Sequence, residues 1–157
     1  MLAFDLSSPA VALGSAAVAG FSTGILPIGI AEALAVAIGV VLPVELAVGM
    51  WIAFTVAHVA AKTIWYWLGA HSDRVLNPWA KRHIDRSRAF LAARPSYSSG
   101  VLALSALTSV PPFHLSSIAA GITHMSFMRF LVISLSGRLV RFGVLAAAPW
   151  LLRTLWP

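Results

Sequence analysis

Arg138 and Arg141 stand three residues apart in an apolar stretch, so a helix would carry both on one face. Ser134 joins that face one turn earlier. Guanidinium groups bind phosphate oxygens in a bidentate fork, so this pair reads as a phosphate clamp. The other reading is a structural ion pair with Glu32 or Glu45. Glu32 follows a break rich in Gly and Pro. It is either an N-terminal acid favoured by the helix dipole or a carboxyl group able to carry a proton. Glu45 falls in the first turn after Pro43, where a capping role is natural. Thr55, His58 and Lys62 fall at i, i+3 and i+7 and make one polar stripe. His58 offers a ring that titrates near neutral pH, although a buried His bonded to a neighbouring backbone is the commoner case. Lys62 stands near the end of its apolar stretch and is expected to snorkel. His114 follows Pro111-Pro112 and would open a half-helix, whose N–H groups suit an anionic head group.

Other chemistries lack their parts. The chain has no Cys, so it has no thiolate ligand, disulfide or Cys nucleophile. No HExxH, P-loop or paired metal ligands occur. Ser116 and Ser117 lie near His114, but a hydrolase also needs an orienting acid and an oxyanion site. The expectation is therefore a protein that is not an enzyme and needs no cofactor or metal.

The elements that must position these side chains belong in a membrane. Of 157 residues, 59% are hydrophobic and only 10% charged, against about 25% charged in a soluble domain. Disordered chains are poor in apolar residues and rich in charge, so disorder is excluded as well. A net charge of +6 would suit nucleic acid in a soluble protein. In so apolar a chain it points to the cytoplasmic side of a membrane and to anionic lipid, with no nucleic-acid partner.

Met1 to Ser8 carries no Lys or Arg and lacks the basic start of a cleaved signal peptide. Pro9 to Phe21 is apolar; Ser22, Thr23, Gly24, Pro27 and Gly29 then break it, and Glu32 to Val41 is apolar again. Neither piece can span a bilayer core of about 30 Å, so they read as a re-entrant hairpin. Pro43 to Gly69 is the first full span, ending in the interfacial cluster Trp65, Tyr66 and Trp67. Residues 71–96 hold six of the eleven Lys and Arg residues and read as an amphipathic surface helix on the cytoplasmic side. Gly100 to Val110 and Ile118 to Ile122 flank Pro111-Pro112 as a second hairpin. Phe127 to Leu152 is the second span, with Trp150 and Trp156 at its far end.

The halves repeat one plan, and hairpin-then-span twice over forces the second copy to start from the opposite side. The expected fold is an all-α integral membrane domain over 1–157. It has two re-entrant hairpins and two transmembrane helices in an inverted repeat, as half-repeats 9–70 and 97–157 joined by an amphipathic linker helix in 71–96. Interrupted short segments at matching positions point to a transporter with a midplane site.

The order of residues also resembles a known family. Leu26-Pro27-Ile28-Gly29-Ile30-Ala31-Glu32 is followed by a span ending Tyr66-Trp67-Leu68-Gly69. Val110-Pro111-Pro112-Phe113-His114 is followed by Ala119-Ala120-Gly121, Met125, Phe130, Gly137-Arg138 and Arg141-Phe142. Over about residues 20 to 150 the chain resembles the DedA family, also called VTT or SNARE-associated Golgi protein, and most of all its short YqaA-like members. The resemblance implies facing hairpins and lipid translocation: undecaprenyl-phosphate recycling in bacteria, phospholipid scrambling in eukaryotic relatives, with protons used by some members. It matches the family's first acidic residue to Glu32 and its second to Glu45. One departure stands out. Many members carry two arginines around the second hairpin proline, whereas here Ser105 to Leu115 has His114 as its only ionisable residue.

The expected function is lipid translocation in a bacterial inner membrane, with the basic linker cytoplasmic and membrane lipids as partners. Arg138, Arg141 and His114 would bind the phosphate; Glu32, Glu45 and His58 would carry protons or balance charge. Self-association is left open. The alternative is a scaffold that binds anionic lipid or a partner through its linker, without transport.

Overall fold

The computed structural model describes residues 8–26, 30–72 and 94–155. Six helices account for nearly all of these: α1 (Pro9–Ile25), α2 (Ile30–Val41), α3 (Val44–Ala70), α4 (Pro95–Thr108), α5 (Phe113–Ile122) and α6 (Phe127–Leu155). No strand occurs among the described residues. The expected break at Pro27 and Gly29, the linker helix between 73 and 93, and Trp156 lie outside them.

Among the described residues, only α3, with 27 residues, and α6, with 29, are long and apolar enough to cross a membrane. At about 1.5 Å per residue each exceeds a core of about 30 Å. Their surfaces are the reverse of a soluble helix. On α3, Val44, Val48, Ile52 and Val56 are exposed at four-residue spacing, while Thr55, His58 and Lys62 are buried. On α6, Met128, Val132, Val140 and Val144 are exposed, while Ser134 and Arg138 are buried. Apolar side chains outside and polar ones inside suit hydrocarbon as solvent.

Two boundaries differ from expectation. The helix starting at Pro9 continues through Ser22, Thr23 and Gly24 to Ile25. The Thr23 hydroxyl donates back to the Gly20 carbonyl at 3.0 Å, so this polar residue stays within the helix. The second pair opens at Pro95 rather than Gly100, because Pro at the first helical position has a preset φ and no N–H to satisfy. The break at residues 109–112 is as expected. Ser109 adopts the left-handed conformation at φ 62 and its N–H bonds the Ser105 carbonyl at 2.8 Å. The Ser105 hydroxyl donates to the Pro111 carbonyl at 2.6 Å and ties the break to α4.

The chain forms two compact units, residues 1–61 with 138–157, and residues 62–137. The first packs small residues: Ala12, Ala16, Ala31, Ala35 and Ala47 surround Phe54 and Phe142, whose rings meet edge-on at 5.2 Å. Gly20 of α1 lies against the Phe54 backbone of α3, and Gly39 of α2 lies against the Ala146 carbonyl of α6. A Cβ at either glycine would collide with backbone, which explains why Gly39 sits inside α2 instead of ending it. Arg153 donates to the Val40 carbonyl at 3.1 Å and satisfies the end of α2.

The second unit is built on Tyr66, Leu102, Phe113, Met125 and Phe130. Tyr66 stacks on Phe130 at 4.8 Å and donates its hydroxyl to the Met125 carbonyl at 2.5 Å. Here Ala106 of α4 meets Gly137 of α6, and Gly121 of α5 meets the Tyr66 carbonyl of α3.

Candidate functional site: two arginines on one carboxylate

In the first unit α2 and α6 bring three of the ionisable residues together. Glu32 is in the first turn of α2, where a carboxylate complements the helix dipole. Arg138 and Arg141 share one face of α6, as their spacing requires. Both reach the same Glu32 oxygen. Arg138 Nη1 lies 3.6 Å from Oε1; Arg141 Nη2 and Nε lie 3.2 and 3.3 Å from it. Arg138 is the inner member, with 4% of its side chain exposed, against 22% for Arg141 and 27% for Glu32. The carbon of its guanidinium stands 5.3 Å from the centroid of the Phe142 ring, a cation–π contact.

Charge counting gives the group a character. Two guanidinium groups and one carboxylate leave +1 within an apolar unit. Guanidinium groups present planar N–H forks, and such forks suit phosphate or carboxylate.

His58 also contacts Phe142. Its ring meets Phe142 edge-on at 5.2 Å and stacks on Phe54 at 6.1 Å. Its Nδ1 is 3.2 Å from the Thr23 hydroxyl. That hydroxyl also donates to the Gly20 carbonyl, and its bond with Nδ1 runs in the direction the ring's tautomer sets. The Thr23 partner, 35 residues away, and the Phe142 platform carried no signal in the sequence.

The remaining candidates are placed elsewhere. Glu45 is exposed in the first turn of α3, and the ion pairs described for both arginines run to Glu32. His114 belongs to the second unit, half-buried in the first turn of α5 with its ring 6.1 Å from Trp65. Lys62 is 3% exposed, enclosed by protein instead of snorkelling as expected. Its ammonium is close enough to His114 to act on it electrostatically. Among the described residues, one apolar cavity of about 290 Å³ lies between α4 and α5 and another of about 280 Å³ lies beside α1, α2 and α3. Neither is lined by Glu32, Arg138 or Arg141.

The family model described as the VTT domain matches residues 11–150, a stretch that contains all of these residues. No curated protein and no solved structure matches the chain.

Proposed function

The chain belongs to the VTT-domain (DedA) family of membrane proteins linked to lipid transport, and we propose that it moves a phosphate-bearing lipid between leaflets. The observation that carries this reading is the convergence of Arg138 and Arg141 on one oxygen of Glu32. Charges within membrane segments are costly, about 2.5–3.5 kcal/mol each at the helix centre on insertion scales, so a small chain that keeps three of them together has a use for them. In the proposed cycle the lipid phosphate takes the place of the Glu32 carboxylate on the two guanidinium groups. Glu32 then accepts a proton or turns to water, and the tail stays in the bilayer. His58, bonded to the Thr23 hydroxyl, is the second group we assign to proton exchange. His114 receives the head group at the second helix pair, in place of the arginines many relatives carry there. Glu45, in the first turn of α3, is the outer stage of proton exchange.

We read the two broken helix pairs as re-entrant hairpins in an inverted repeat. Each unit is assembled by one rule, which supports this. In the first, α1 packs on α3 and α2 packs on α6; in the second, α4 packs on α6 and α5 packs on α3. Exchanging the halves, α1 for α4, α2 for α5 and α3 for α6, turns one set into the other. The proposed setting is a bacterial inner membrane with the basic linker cytoplasmic.

The test is lipid flip in proteoliposomes containing a labelled phospholipid or polyprenyl phosphate. The wild-type chain speeds flip, and Glu32→Gln and Arg138→Ala return it to the rate of empty liposomes. Equal flip with and without the folded wild-type protein would end the transport reading.

A further inference from the structure

The second unit holds a cavity of about 290 Å³ between α4 and α5. Val101, Leu102, Leu115, Ala119 and Met125 give it an apolar wall. Ser116 is out of keeping with that wall. It is 6% exposed, it lines the cavity, and its Oγ is buried with no hydrogen-bond partner. Neighbouring hydroxyls turn back onto their own helix: Ser117 donates to the Phe113 carbonyl at 2.7 Å and Thr123 to the Ala120 carbonyl at 3.1 Å. The equivalent acceptor for Ser116 is the Pro112 carbonyl, which already takes the N–H groups of Leu115 and Ser116 at 3.0 and 3.2 Å. Tyr97 and Leu115, 58% and 52% exposed, stand at the mouth, so the cavity opens on the protein surface. In the membrane placement proposed above, that mouth opens toward lipid.

We propose that this cavity holds an acyl chain of an ester-linked diacyl lipid, with the Ser116 hydroxyl donating to the ester carbonyl. The hydrocarbon covers the apolar wall, and the carbonyl supplies the acceptor that α5 does not. A polyprenyl tail has no such oxygen and would leave the hydroxyl unmet, so the cavity discriminates between these two lipid classes. The proposal rests on the membrane placement and not on transport.

The experiment uses the full chain in vesicles of phosphatidylcholine and phosphatidylglycerol. The probe is a phosphatidylglycerol with a photoreactive group in one acyl chain, compared with its ether-linked counterpart, which lacks the carbonyl. Crosslinked positions are read by mass spectrometry. The ester probe is expected to label residues of α4 and α5 around the cavity, roughly threefold to tenfold more than the ether probe, the range one hydrogen bond provides. Ser116→Ala should lower ester labelling to the ether level and leave ether labelling unchanged. Ala119→Phe fills the cavity and should remove both. Equal labelling by the two probes on the wild-type chain, which needs no substitution, would overturn the proposal. So would an ester preference that survives Ser116→Ala. Cavity labelling without flip would sink the transport reading alone; flip without cavity labelling would sink this one alone.

Discussion

Removing Glu32 should cost more than removing either arginine, because the carboxylate is the shared member of the cluster. Arg138 Nη1 is 3.6 Å from Oε1. At an effective dielectric constant of about 20 that separation corresponds to about 4.6 kcal/mol of attraction. Glu32 keeps 27% of its side chain exposed, so solvent screens part of this, leaving about 2–3 kcal/mol for the pair. Glu32→Gln leaves two cations facing each other, one of them deeply buried. Arg138→Gln is milder, since Arg141 still holds the carboxylate. The assay is a double-mutant cycle on reversible unfolding in mixed detergent micelles, followed by the fluorescence of the chain's six tryptophans. Glu32→Gln, Arg138→Gln and the double variant are compared with wild type. The expected coupling is about 2–3 kcal/mol, with Glu32→Gln the least stable of the single variants. Coupling below about 0.5 kcal/mol would mean that the two side chains act independently, and the cluster would lose its energetic meaning.

Gly39→Ala places a Cβ against the Ala146 carbonyl and should destabilise the first unit by about 1–3 kcal/mol in the same unfolding assay. Tyr66→Phe removes the donor to the Met125 carbonyl, leaves that carbonyl unmet in the core, and should cost about 1–3 kcal/mol. Neutralising Arg82, Arg86 and Arg88 together should leave lipid flip unchanged. Loss of function there, with Glu32→Gln silent, would favour a scaffold that works through its linker.

The ionic cluster was legible because ionisable residues are scarce in an apolar chain. Glu32, Arg138 and Arg141 stood out for that reason, and the helical spacing of the arginines set them on one face. Which acid they meet was not legible. Glu32 and Glu45 are both first-turn acids after a break, and only the packing of α2 on α6 at Gly39 separates them. Lys62 was expected to snorkel from its place near the end of its span, but its burial comes from packing, which position along the helix does not carry. The Thr23–His58 bond and the Phe142 platform depend on contacts between distant segments, which local spacing does not carry. Ser116 looked like half of a weak hydrolase motif; its interest comes from what the Pro112 carbonyl already accepts.

The central claim is that a lipid phosphate replaces Glu32 on Arg138 and Arg141 during transfer between leaflets. The most direct measurement is the rate of lipid flip in proteoliposomes made with wild-type, Glu32→Gln and Arg138→Ala chains, each checked for folding. Fast flip by the wild type, lost in both variants, is the predicted result. Variants that fold and flip lipid as fast as the wild type would contradict it.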